Sequence, residues 1–92
     1  MNNLLNILLI EDDSIEIMKF NRVINSFEKK HTILVARNGE EAINLLKTKT
    51  QVINLIVLDL NMPKINGIDF LKFIKKDNKF RFIPAVILTT SN

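Results

Sequence analysis

The sequence contains no cysteine, which excludes disulfides and thiolate metal sites and is compatible with a reducing compartment. Its one histidine, His31, stands in a polar stretch between a predicted helix and a predicted strand, so a histidine-based triad or an imidazole metal cage is not available, and the residue is expected on the surface. There are only two glycines, and neither Gly39 nor Gly67 lies in a P-loop or dinucleotide pattern. The aromatics are six phenylalanines, and those at helical spacing read as core or helix-packing residues rather than as a stacking platform. No apolar run approaches the roughly 20 residues needed to span a bilayer. The N-terminus lacks the basic region, long apolar stretch and small-residue cleavage site of a leader. A soluble, cytoplasmic protein is expected, without repeats, low-complexity tracts or linkers.

What is present is 92 residues with 47% hydrophobic and 25% charged content, the balance of one small domain with a packed core. A chain this short buries only about two-thirds of its unfolded surface, so its stability margin is thin. The net charge of +3 includes a modest cluster at Lys72, Lys75, Lys76, Lys79 and Arg81, read as a solvated face. Nucleic-acid binding would want a denser stripe or interleaved aromatics.

The apolar runs set the order of elements. Leu4 to Ile10 reads as a strand that ends in Glu11, Asp12 and Asp13. Asp13 can cap a helix from about Ser14 to Lys29, with Glu16 completing a capping box and Ile17, Phe20, Ile24 and Phe27 at helical spacing. Thr32 to Ala36 is a second strand, and Asn38 caps a second helix that buries Ala42, Ile43, Leu45 and Leu46. Asn54 to Leu58 is a third strand, an unbroken apolar run of the kind found in sheets covered on both faces, and it stops at Asp59. After the Met62-Pro63 turn, Asn66 can cap a third helix with Ile68, Leu71 and Ile74 buried, Phe70 and Phe73 partly covered, and an end near Lys76. Ala85 to Leu88 is a fourth strand, closed by Thr89. Strands alternating with helices predict parallel, right-handed crossovers and a sheet with helices on both faces.

The chemistry is expected at the carboxyl ends of those strands, where open α/β sheets hold their ligands. Asp59 is the first candidate for a reactive group, although Asp also simply ends strands and starts loops. If the first and third strands are neighbours, their ends lie about 5 Å apart, and Glu11, Asp12 and Asp59 would converge in one crevice. Left alone they repel and at least one pKa rises; a hard divalent cation with oxygen ligands removes the conflict, and Mg²⁺ suits one or two carboxylates plus waters and a phosphate. The reaction that fits is attack by an Asp59 oxygen on a phosphoryl group, with Thr89 and loop N–H groups available to its oxygens.

These residues carry a resemblance. Ile-Leu-Leu-Ile-Glu-Asp-Asp at 7–13, Leu-Ile-Val-Leu-Asp-Leu-Asn-Met-Pro at 55–63 followed by Gly67, and Ile-Pro-Ala-Val-Ile-Leu-Thr at 83–89 resemble, in order and at matching spacing, the receiver domain of two-component response regulators. The resemblance covers the whole chain. It implies a flavodoxin-like doubly wound parallel sheet of about four strands in the order 2-1-3-4 with three helices. It makes Asp59 the phosphoacceptor, Asp12 a direct Mg²⁺ ligand, Glu11 a ligand directly or through water, Asn61 a ligand through its backbone carbonyl, and Thr89 the switch hydroxyl. The implied partner is a sensor histidine kinase or phosphotransfer protein of a bacterial phosphorelay, and the implied behaviour is that of a switch rather than a turnover enzyme. Asp13 falls outside the acidic pair and is expected as a helix cap, and Lys64 as a solubilising loop residue.

The sequence departs from the family by ending after the fourth strand, where a receiver normally continues for roughly another 30 residues to a fifth strand ending in a lysine. Residues 1–92 are therefore expected to form the N-terminal portion of a receiver, as a fragment or a naturally shortened domain, with no lysine on the matching position. The fourth strand would then be an unpaired apolar edge, which predicts self-association. Two other classes fit some of the residues. A Mg²⁺-dependent phosphohydrolase with an Asp nucleophile would want an acid where Asn61 stands, and a receiver-like interaction module would bind metal without being phosphorylated.

Overall fold

Four short apolar segments hydrogen-bond side by side into one parallel sheet. The computed structural model describes residues 4–28, 30–48, 52–59 and 67–88. The elements are β1 (Asn6–Ile10), α1 (Ser14–Asn25), β2 (Thr32–Ala36), α2 (Gly39–Thr48), β3 (Leu55–Asp59), α3 (Gly67–Lys76) and β4 (Ala85–Leu88). The strand order is β2-β1-β3-β4, as expected. Registers such as Leu8 opposite both Leu34 and Ile56, and Val57 opposite Val86, align the carboxyl ends of all four strands on one side.

Both faces of β1 and β3 are covered, which is why these strands read as continuous apolar runs rather than alternating ones. On one face Leu8, Ile10, Ala36, Ile56 and Leu58 pack against Ala42 and Leu46 of α2 and Phe70 and Ile74 of α3. On the other, Ile7, Leu9 and Val57 pack against Ile24, Ile17 and Phe20 of α1. The start of β1 is set by polar side chains. Asn54 Oδ1 accepts from the Asn6 N–H at 2.7 Å, and Asn6 Nδ2 donates to the Val52 carbonyl at 2.9 Å. These bonds hold the strand to Asn6–Ile10, two residues shorter than its apolar run.

Several other expectations are corrected. Helix α1 ends at Asn25, four residues before the predicted Lys29, because the Ser26 hydroxyl and N–H both return to the Val23 carbonyl and close the last turn. Phe27 thus leaves the helix, stays exposed, and meets His31 edge-on with ring centroids 6.3 Å apart. His31 is half-buried rather than a plain surface residue, since its Nδ1 accepts from the Leu5 N–H at 3.0 Å. The capping box at α1 does not close: Asp13 Oδ1 accepts from the Ile15 N–H, but Glu16 pairs with Lys19. The reason is that the Asp13 N–H is already taken by Glu11.

At α2 the expected Asn38 cap is present, with the Glu41 N–H donating to Asn38 Oδ1 at 2.7 Å; Ala42 and Leu46 are buried, and Ile43 and Leu45 half-buried. The third strand is Leu55–Asp59, one residue later than read, so Asp59 belongs to the ladder. On α3 the buried stripe is Phe70 and Ile74, with Leu71 and Phe73 flanking it; the expected Asn66 cap and the Ile68 side chain lie outside the described residues. Phe80 is an additional core residue. Asp77 accepts from the Lys79 and Phe80 N–H groups, and this turn swings the ring back under α3. The lysine cluster with Arg81 is exposed, as expected. No helix among the described residues is long and apolar enough to cross a membrane.

Candidate functional site

The sheet reverses its winding between β1 and β3: β1 leads through α1 to β2 on one side, and β3 leads through α3 to β4 on the other. The crevice outside the carboxyl ends at such a switch point is where open α/β sheets hold ligands. Two acids stand there. Ile10 and Leu58 are register partners, so Glu11 and Asp59, each one residue further on, sit side by side. The Glu11 N–H continues the ladder by donating to the Ala36 carbonyl at 2.9 Å. On its other side Asp59 is paired with Leu88.

Both carboxyl groups are buried, Glu11 at 4% and Asp59 at 5% exposure. They share a side-chain hydrogen bond, and the Glu11 pKa is pushed up from 4.5 to about 7. Burial is the main cause. The Asp13 N–H, donating to Glu11 Oε2 at 3.1 Å, opposes the rise, while the hydrogen bond to Asp59 and the charges of Asp59 and Asp12 add to it. Two acids locked together in this way have only carboxylate oxygens to offer, and a proton on one of them stands where a cation would go. That donor set fits a hard divalent cation of the Mg²⁺ type.

The expected convergence of three carboxylates is only partly found. Glu11 and Asp59 meet; Asp12 is half-buried beside them and acts on Glu11 through its charge. Among the described residues no group of three His, Cys, Asp or Glu side chains is gathered to hold a metal. Asp13 caps α1 as expected. Asn61, Lys64 and Thr89 lie outside the described residues. One residue at this end of the sheet was not anticipated. Arg37, directly after β2, reaches back over β1 and donates from Nη2 to the Asp12 carbonyl at 2.9 Å and to Ser14 Oγ at 3.0 Å. Its position immediately beyond a strand end was readable in the sequence, but its target depended on β2 lying next to β1.

A pH dependence follows from Glu11. Its carboxyl group binds a proton more tightly folded than unfolded, so its contribution to stability is fully present below about pH 4.5 and is lost as pH rises through 7. In the absence of divalent cation, the loss amounts to at most about 3 kcal/mol. Glu11→Gln keeps an acceptor for the Asp13 N–H and a donor for Asp59 without titrating. Thermal melts from pH 5 to pH 8 should therefore fall more steeply for the parent than for Glu11→Gln, and parallel curves would contradict the assignment.

The sequence matches the response regulator receiver domain family over residues 7–92. Response regulator Rcp1 of Synechocystis is 34% identical over 91 residues, covering 94% of this chain and 62% of that protein. The crystal structure of the phosphorylated cyanobacterial phytochrome response regulator RcpA superposes with a TM-score of 0.86 at 32% identity, over 96% of this chain and 66% of that one. The Mn²⁺-bound form of Rcp1 superposes with a TM-score of 0.85 at 33% identity, over 96% and 67% of the respective chains. The chain belongs to the response regulator receiver family, the phosphoacceptor switch domains of two-component signalling. It spans between 62% and 67% of the length of these relatives.

Proposed function

We propose that Asp59 accepts a phosphoryl group from a phosphohistidine of a sensor histidine kinase or phosphotransfer protein, or from a small acyl phosphate. The single observation that carries this is the buried Glu11–Asp59 pair at the switch point between β1 and β3. An Asp59 oxygen attacks phosphorus; the new O–P bond forms as the P–N bond to the donor imidazole breaks, and the imidazole leaves with the electron pair. Glu11, Asp12, Asp59 and the backbone carbonyl of Asn61 would hold Mg²⁺, which when bound neutralises charge on the phosphoryl oxygens. That the related Rcp1 has a Mn²⁺-bound form supports a divalent cation as the ion. Thr89 follows Leu88, the register partner of Asp59, and supplies the switch hydroxyl. The product is an acyl phosphate that water removes slowly, so the chain acts as a cytoplasmic switch and not as a turnover enzyme.

Residues 1–92 form the first four strands and three helices of that receiver. Incubation with Mg²⁺ and an acyl phosphate should add a single phosphoryl group to the intact mass, labile to hydroxylamine and absent without the cation. Sustained release of phosphate from a monoester would instead favour a hydrolase, and cation binding without any adduct a silent interaction module.

The β4 strand is one edge of the described sheet. Val86, Ile87 and Leu88 are exposed, and β4 has no neighbour beyond it among the described residues. An uncharged apolar edge of this kind pairs with another chain. Analytical ultracentrifugation at tens of micromolar should show dimers or larger species, whereas a clean monomer would contradict edge pairing.

A further inference from the structure

The Arg37 contact and the Glu11 contact are two ends of one peptide group. Arg37 Nη2 holds the carbonyl of Asp12, and the N–H of the same Asp12–Asp13 peptide donates to Glu11 Oε2. In a trans peptide the carbonyl and the N–H point in opposite directions, and no cis bond is present among the described residues. Fixing the carbonyl toward Arg37 therefore fixes the N–H toward Glu11. Arg37 is itself held, since its N–H donates to Glu41 Oε1 at 2.9 Å and the Glu41 N–H donates to the Asn38 cap of α2. The second bond, to Ser14 Oγ at the start of α1, prevents the loop from rotating about the first.

We infer that Arg37 is a positioning residue for the acidic site: through the Asp12–Asp13 peptide it aims a backbone donor at Glu11 and sets where that carboxylate lies for the cation. The inference rests on the reading of Glu11 and Asp12 as the metal-side acids. Charge and geometry predict opposite signs here. A guanidinium beside a cation site weakens binding by repulsion, so deleting it for charge alone would tighten Mg²⁺; deleting a support that orients a ligand loosens it, commonly by tenfold or more.

The test is Arg37→Ala against the parent, with Arg22→Ala, an exposed arginine in the last turn of α1, as the control for lost surface charge. Two quantities are read: the Mg²⁺ dissociation constant by calorimetry, and the hydrogen-exchange rate of the Asp13 amide by NMR without metal. The expected result is about tenfold weaker Mg²⁺ binding and at least tenfold faster Asp13 exchange in Arg37→Ala, with Arg22→Ala like the parent. Unchanged or tighter Mg²⁺ binding, or an Asp13 amide exchanging at the parent rate, overturns the inference. If the parent itself binds no Mg²⁺, the receiver reading has failed, and the Asp13 exchange rate alone decides whether Arg37 orients this peptide.

Discussion

Asp59→Asn should take up no phosphoryl group from an acyl phosphate and, at pH 8 without divalent cation, should melt higher than the parent. The two effects have one origin. An amide is neutral, with no anionic oxygen and with its nitrogen lone pair drawn into the carbonyl, so the variant lacks the nucleophile and its intact mass stays constant. The same change removes a negative charge packed against Glu11 and supplies an N–H donor in its place, where the parent holds two acids at about 5% exposure or less. Relief of like charge in a buried pair is worth about 1 kcal/mol here, and hence about 4–8 °C for a domain of this size. Intact-mass spectrometry and a thermal melt check the two halves separately. An adduct that persists in Asp59→Asn would move the phosphoacceptor elsewhere. A variant that melts lower than the parent would mean that the Asp59 carboxylate supports the fold instead of straining it.

The paired acids lie at the carboxyl ends of β1 and β3, the crevice where open α/β sheets hold ligands. Without a cation the two carboxyl groups are held by the hydrogen bond between them and by the Asp13 N–H. The surrounding sheet provides the rigidity that makes this arrangement tolerable, because the residues immediately before the two acids, Ile10 and Leu58, are fully buried register partners.

The strands and the acids at their ends were legible because both signals are local. An unbroken apolar run followed at once by a carboxylate marks a covered strand and its exit, and this holds for β1 with Glu11 and for β3 with Asp59. What the sequence obscured depends on contacts between distant segments. The end of α1 was overestimated because Phe27 continues the helical spacing, while the Ser26 side chain that stops the helix is a weak signal. The capping box at Asp13 and Glu16 had the right spacing, but its backbone donor had been claimed by Glu11, an arrangement visible only when the turn between β1 and α1 is built. His31 reads as a surface residue until β2 is set beside β1 and its ring nitrogen meets the Leu5 N–H. Phe80 follows a polar turn and carries no periodicity that would place it under α3. Arg37 belongs to the same group, since nothing in its neighbourhood along the chain announces a bond to residues more than 20 positions earlier.

Leu8→Ala should cost more stability than any surface change and should take the site with it. Leu8 is fully buried in β1, flanked by Leu34 of β2 and Ile56 of β3, and belongs to the cluster that α2 and α3 cover. Removing its isobutyl group leaves a cavity between elements that cannot close without shifting a strand, a loss of about 3 kcal/mol. That is a large share of the roughly 5–14 kcal/mol available to a domain of 92 residues, and the melting temperature should fall by about 12–24 °C. Glu11 directly follows the end of the same strand, which sets its N–H against the Ala36 carbonyl, so Mg²⁺ binding at 25 °C should weaken in parallel with the loss of folded protein. Val23→Ala is the contrast: its side chain is exposed on α1, and a similar loss of apolar volume there should change stability by about 0.5 kcal/mol or less. Circular-dichroism melts of the two variants, with a cation titration of each, separate the cases. Equal destabilisation would mean that β1 is not the central strand on which the acidic pair is mounted.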